Sequence, residues 1–429
     1  MLKKIRHIGI VVDDLNGAVE KFSKVMGLNF SEFIEKKDIG VKIAFAPIGE
    51  TLIELLHYTS PAQAKPSVIR NQKGAINHIC FEVDDLEEAI KHLERAMSID
   101  QDLGDARGVA SAHREYANYF LMKGEVDSAL RYLSDALEVQ ESLEERPQIA
   151  FTMNLLGDAY LLKGDVAQSL LNFDGAVEIA TDVGEPELAA GASTGKARLF
   201  RQLGYKPGLD SVLTMLRSFD QGTLSHHAKC DLHLEEAEVL FSQGQVTEAS
   251  RASTEILDAV GYNDIRCRAR AMLLSARIAS SQGKPDVARD VLDTLLGEAR
   301  RFGLVDIEAQ SLCLLASVYA SQGRHAEATD LCEQALDIIS TSGLPGFECL
   351  VKCGDSKLAS GDSEGALSYY QRALNEARLA YGSKCPPRLR KYYLQAKDIP
   401  HYLTQLTRLL TDAGRAQEAQ PLKAAFGLN

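Results

Sequence analysis

No apolar run in the 429 residues approaches the roughly 20 that a helix needs to cross a bilayer, which excludes a membrane-spanning helix. Positive charge is not in excess either. Sixty acidic residues face 47 basic ones, a net charge of −13. Nucleic acids and anionic membranes call for a basic field, so neither is expected as a partner. The eight cysteines contain no CxxC pair, and reduced thiols in a cytoplasmic protein are expected. Cys349 and Cys353 stand four apart, the spacing of one helix face, which reads as packing. A phosphate-cradling glycine loop, a Ser/His/Asp signature and a zinc knuckle are all missing. The opening MLKKIRHIGIVV has lysines before an apolar stretch, but Asp13-Asp14 stand where a leader peptide would place a small-residue cleavage site. It reads as a β-strand.

What is present follows two different grammars. Before residue 98, short Ile/Val/Phe-rich segments at 5–12, 28–35, 40–46 and 51–57 alternate with Gly, Asp and Pro, the pattern of strands. Residues 14–26 have helical spacing, with Leu15, Val19, Phe22 and Val25 expected on one side and Gly27 as the stop. This predicts a βαβββ module. After Pro61 and Pro66 the pattern restarts: HIGIVVDDLNGAVEKF at 7–22 matches HICFEVDDLEEAIKHL at 78–93, offset by 78 − 7 = 71. The duplication stops after one strand and one helix.

From about residue 98 the period becomes helical. Glycines recur at 124, 164, 204, 244, 283, 323 and 361, each between two amphipathic segments. Gly157, Tyr160, Gly164, Phe173 and Ala176 set small, aromatic, turn, aromatic and small residues in order. Small positions let helices approach, and large ones fill the space between hairpins. Seven such units in register resemble a tetratricopeptide array of ~40-residue hairpins. The expected fold is mainly α: a superhelix of seven to eight hairpins over 98–429, preceded by a small α+β βαβββ-βα module at 1–97. The third and fourth units depart from the pattern, Leu209 replacing a small residue. An eighth hairpin is expected around Gly414, with a break at Cys385-Pro386-Pro387. Forty residues before Gly124 lies Asp84, so the helix DLEEAIKHLERAM fits both grammars and is expected to serve both.

HIGIVVDDL, GVKIAFAPIGETLIELLH and GAINHICFEVDDL resemble the vicinal-oxygen-chelate (glyoxalase-like) superfamily, and within it the methylmalonyl-CoA epimerases. The resemblance implies two paired βαβββ modules cupping one divalent ion (Co, Mn or Zn) that polarises a thioester carbonyl while carboxylates move the α-proton. It assigns His7, Glu54 and His78 as metal ligands. The family's fourth ligand lies on a strand this chain lacks, so no catalytic residue is assigned. Glu82, by strand alternation, is the substitute at hand; Glu32 and Glu35 are candidate bases. His57 reads as structural, and His226, His227 and His233 as a polar helix start. Two copies could also pair through their N-terminal modules as a homodimer.

The tetratricopeptide resemblance implies a groove lined by the first helix of each hairpin. In register these positions are Arg114, Asn118, Asn154, Asp158, Thr194, Arg198, Glu238, Arg277, Ser317 and Asp355. The carboxylate clamp of chaperone-binding arrays is not continued, since Leu155, Gly191 and Gly195 occupy its later positions. Two functions therefore stand open. One is a scaffold holding a protein or peptide in the groove, with a degenerate epimerase-like module. The other is a metal-dependent epimerase or lyase.

Overall fold

The computed structural model describes the backbone of all residues but 1, 31, 37–40, 50, 59–75, 84–85, 220–223, 261–263 and 429; side chains are described except at 1–7, 31–40, 50, 58–89, 220–223, 226–227, 261–263 and 429. The chain divides into two compact units, one of Met1–Leu103 with Asp220–Ser225, the other holding Gly104–Phe219 and His226–Asn429.

In the first unit, strands β1 (Leu2–Val11), β2 (Glu32–Lys36), β3 (Val41–Ile48), β4 (Thr51–Tyr58) and β5 (Ile76–Val83) form one sheet in the order β2-β3-β4-β1-β5. β1 runs parallel to β4 and antiparallel to β5. Helix α1 (Leu15–Met26) follows β1. Asp14 caps it by accepting from the backbone N–H of Asn16 and Gly17, and Gly27 closes it at φ 70°. Leu15, Ala18, Val19 and Phe22 pack on Ile8, Ile10, Ala44, Ala46, Ile53 and Leu55, the positions of one sheet face. Val25 does not join them. It is 76% exposed, one turn past the last contact, where the helix end outruns the sheet. Helix α2 (Leu86–Asp102) completes the unit.

The second unit is a run of antiparallel hairpins: α3 (Ala106–Met122) with α4 (Val126–Ser142), α5 (Arg146–Leu162) with α6 (Val166–Asp182), and α7 (Pro186–Gln202) with α8 (Lys206–Ser218). There follow α9 (His226–Ser242) with α10 (Val246–Ala259), α11 (Ile265–Ser281) with α12 (Pro285–Phe302), α13 (Val305–Ser321) with α14 (His325–Ser342), and α15 (Phe347–Ala359) with α16 (Ser363–Leu379). The departures foreseen in units three and four appear as shortened second helices, 13 residues in α8 and 14 in α10 against 17 in α4. After α16 a π-helical turn (Ala380–Lys384) leads to Cys385, a 3-10 turn (Pro387–Leu389) and α17 (Arg390–Ala396). The last pair is α18 (Ile399–Asp412) and α19 (Gln420–Ala425).

Each periodic glycine turns its hairpin by the same device. At Gly124, φ is 73°, and the N–H of Glu125 reaches back to the Phe120 carbonyl at 2.8 Å. The bond recurs one repeat later from Asp165 to Tyr160. First helices touch the next first helix along the array, which makes them the inner layer.

The array also meets itself. A Cβ on Gly124 would lie 2.8 Å from Ser342 Cβ, and one on Gly164 would lie 3.2 Å from Pro345 Cγ. Leu344 packs on the core of the first two hairpins, and the Tyr205 ring lies 4.8 Å from that of Tyr392. The turns of hairpins one to three thus rest on the ends of hairpins six and seven and the chain that follows them.

Candidate functional site

Two regions carry polar groups that packing alone does not require. The first is the sheet face opposite α1. Glu54 lies on it, 8% exposed, and its register partner on β3 is Phe45. On its other side Glu54 pairs in register with Gly9, which pairs in turn with His78 on β5. Position 7 is two residues along β1 from Gly9. Strand pairing alone therefore brings the three expected ligand positions to neighbouring places on adjacent strands. The side chains of His7 and His78 lie outside the described residues, as do those of Glu32, Glu35 and Glu82. The donor chemistry, two imidazoles and a carboxylate, fits a Zn, Mn or Co ion. His57 shares a hydrogen bond of 3.2 Å with the Val12 carbonyl, its Nδ1 donating, which ties β4 to the start of α1.

The second region is the inner layer of the array, where sign alternates helix by helix. Asp158 on α5 pairs with Arg198 on α7 at 3.1 Å. Arg198 reaches Glu235 at 2.8 Å and Asp231 at 3.4 Å on α9. Arg201 reaches Glu235 at 3.1 Å and Glu238 at 3.2 Å. From α11, Arg270 bonds Asp231 at 2.7 Å and also Glu235, while Arg277 meets Glu238 at 2.8 Å. Arg266 continues to Asp306 on α13 at 2.7 Å. Five successive first helices are thus joined acid to base to acid to base to acid.

Glu235 is the centre, with its side chain 1% exposed. Burial alone would raise its carboxyl, but Arg201, Arg270 and Arg198 hold it well below the usual carboxylate range. A depressed carboxylate stabilises the fold above its unfolded value of 4.5, and that contribution disappears as pH falls below it. The array's unfolding temperature should therefore drop on acidification below about pH 4.5, and Glu235→Gln should flatten that slope. Equal slopes in a thermal-unfolding series of the two proteins would refute this origin.

Of the expected groove residues, Asp158, Arg198, Glu238 and Arg277 are thus engaged in the ladder. Thr194 and Ser317 donate back to carbonyls of their own helices, Ala190 and Cys313. Asp355 accepts from the Tyr370 hydroxyl at 2.6 Å. Arg114 donates to Gln148 at 2.5 Å and lies 5.1 Å from the Phe151 ring centre. Asn118 is half-buried. Asn154 differs from the rest: its side-chain oxygen is removed from solvent and has no hydrogen-bond partner among the described residues. His226 and His227 open α9 with side chains outside the described residues, and His233 is exposed. Arg201, Asp231, Glu235, Arg266, Arg270 and Asp306 are ladder members that position-by-position reading passes over. Comparing charges one repeat apart finds four of its links: Asp158/Arg198, Glu238/Arg277, Asp231/Arg270 and Arg266/Asp306 are 40, 39, 39 and 40 residues apart.

Among the described residues, no helix is long and apolar enough to cross a membrane. Residues 6–100 match the sequence model of the glyoxalase/bleomycin resistance protein/dioxygenase superfamily. Segments 78–142, 108–182 and 307–378 match the tetratricopeptide repeat, so the two models overlap across 78–100. The mitochondrial methylmalonyl-CoA epimerase of Dictyostelium discoideum is 33% identical over 91 residues, 21% of this chain and 55% of that protein. An ethylmalonyl-CoA/methylmalonyl-CoA epimerase of Cereibacter sphaeroides is 31% identical over 97 residues, 22% of this chain and 72% of its own length. The chain spans about half the length of the first of these relatives. Among solved structures, a Rap protein complexed with competence and sporulation factor aligns at 13% identity and TM-score 0.49, over 74% of this chain and 95% of the other. Through residues 6–100 the chain belongs to the glyoxalase/bleomycin resistance protein/dioxygenase superfamily, and the rest of it carries tetratricopeptide repeats.

Proposed function

We propose that this chain is a cytoplasmic protein-binding scaffold whose array holds a peptide segment of a partner protein, with a degenerate epimerase-like module at its N-terminus. The supporting observation is the unmatched side-chain oxygen of Asn154 on the inner layer. A buried amide oxygen without a donor is costly, and rotation of this half-buried side chain toward the groove would let a backbone N–H from a bound peptide satisfy it. The ladder engages the middle helices, so the contact region we infer is the first two hairpins: Arg114, Asn118 and Asn154. Panning a random-peptide display library against the full chain tests this. Enriched peptides should bind the wild type and lose most affinity for Asn118→Ala and Asn154→Ala, while Asp355→Asn leaves binding unchanged. Failure to enrich any sequence would count against the scaffold reading.

We place the functional boundary at 97/98, with α2 shared by both parts, a reading supported by the overlap of the two family matches over 78–100. Among the described residues no strand pairs with the outer edge of β5, where the second module's remaining strands would lie. A second copy's module is the occupant we would expect at such an edge.

The alternative, a metal-dependent epimerase or lyase, is favoured by the register row Glu54–Gly9–His78. His7, Glu54 and His78 would hold a divalent ion. Such an ion, when bound, supplies Lewis acidity to a thioester carbonyl. Incubation with methylmalonyl-CoA in D2O decides the matter. Exchange at the α-carbon that vanishes in His7→Ala and His78→Ala would establish the enzyme. We expect no exchange, because among the described residues no strand follows β5 to bring the second carboxylate.

A further inference from the structure

The sixth hairpin departs from its sisters at one core position. Between the two helices of a hairpin and the next first helix, five repeats place Leu133, Phe173, Leu213, Leu292 and Tyr370 and the fourth places Ser253, all buried. The sixth repeat places Cys332 there, fully buried. Two further cysteines meet it from α15, Cys349 and Cys353, at 2% and 0% exposure. The three sulfur atoms lie within 4.8 Å of one another. Cys349 also donates to the Cys332 carbonyl at 3.4 Å. Cys313, from α13, is also buried, at 8%.

We propose that Cys332, Cys349 and Cys353 form a binding site for a thiophilic d10 metal ion, Cu(I) or Zn(II), inside the tetratricopeptide array. Three sulfurs each ~2.3 Å from one ion stand about 4 Å apart, so the described cluster needs only a small contraction. The donor set is all sulfur in a dry core, which selects soft ions and disfavours Mg or Ca. Cu(I) is content with three sulfurs, whereas Zn(II) prefers four and would draw on Cys313. The trio comes from the second helix of one hairpin and the opening helix of the next, with Cys313 on the first helix of the former. Binding would therefore cross-link hairpins six and seven. Packing alone would be served by leucine, as in three sister repeats.

Each ligating thiol gives its proton to solvent, so uptake should tighten as pH rises. The test uses the full chain, reduced and stripped with a chelator, then titrated with Co(II) as a spectroscopic substitute. We expect one equivalent with a thiolate-to-cobalt charge-transfer band, displaced by Zn(II) or by Cu(I). X-ray absorption at the metal edge should find three or four sulfur neighbours. Cys332→Leu installs the residue of the sister hairpins, so it should keep the helical circular dichroism and lose the band. Cys353→Ser should lose it as well. His7→Ala should retain it, which separates this site from the N-terminal module. Absence of the band in the wild type, or equal bands in wild type and Cys332→Leu, would overturn the proposal.

Discussion

Glu235→Ala should destabilise the array by about 3–5 kcal/mol, the range for breaking a buried ion pair by removing one partner. Glu235 accepts from Arg198 at 2.8 Å, Arg201 at 3.1 Å and Arg270. All three guanidiniums are largely buried, with side chains 14–19% exposed. Their remaining partners differ. Arg198 keeps Asp158 and Asp231, Arg270 keeps Asp231, and Arg201 keeps Glu238. Those contacts limit the loss, but each cation would remain where water cannot fully replace a carboxylate. Glu235→Gln keeps the shape and one acceptor, so its effect should be smaller. Urea unfolding followed by circular dichroism measures both. Arrays unfold as nearest-neighbour systems, so breaking the tie among α7, α9 and α11 should also split the transition. A single transition within about 1 kcal/mol of the wild type would show that the ladder contributes little.

The turns and the stacking were legible because glycine at positive φ and small-against-large packing leave signatures that recur at the repeat period. Gly124, Gly164 and Gly204 announce their hairpins directly. The strand module was equally readable from alternation, and register alone carries Glu54, Gly9 and His78 into one row. Val25 shares the face of Leu15, Val19 and Phe22 yet is exposed, because helical spacing says which face a residue takes, not whether anything lies opposite it. The ladder stayed hidden for another reason. Asp158, Arg198, Glu238 and Arg277 stand alone along the sequence, whereas the opposite charge each one meets sits one repeat away. The cysteine trio needed a second helix: Cys349 and Cys353 share a face, but only folding brings Cys332 onto it.

Phe173→Ala should cost about 3–5 kcal/mol, as for other fully buried aromatics. Its ring lies so close to two first helices that a Cβ on Gly157 would stand 2.5 Å from it, and one on Gly195 2.4 Å. The same fit recurs where Tyr370 faces Gly354, again at 2.5 Å. Where the large residue is leucine, the partner one helix back is alanine: Leu133 with Ala117, Leu213 with Ala197, Leu292 with Ala276, every one buried. Aromatic therefore goes with glycine and leucine with alanine, a volume rule for one joint. It predicts non-additivity. Gly157→Ala alone should destabilise by about 1–3 kcal/mol through overpacking, although alanine is the better helix former. Phe173→Leu alone should leave a void. The double variant reproduces the sister joints and should recover most of the loss, with a coupling of about 1–3 kcal/mol in a double-mutant cycle. Simple addition of the two single effects would mean that the joint is not set by this pair.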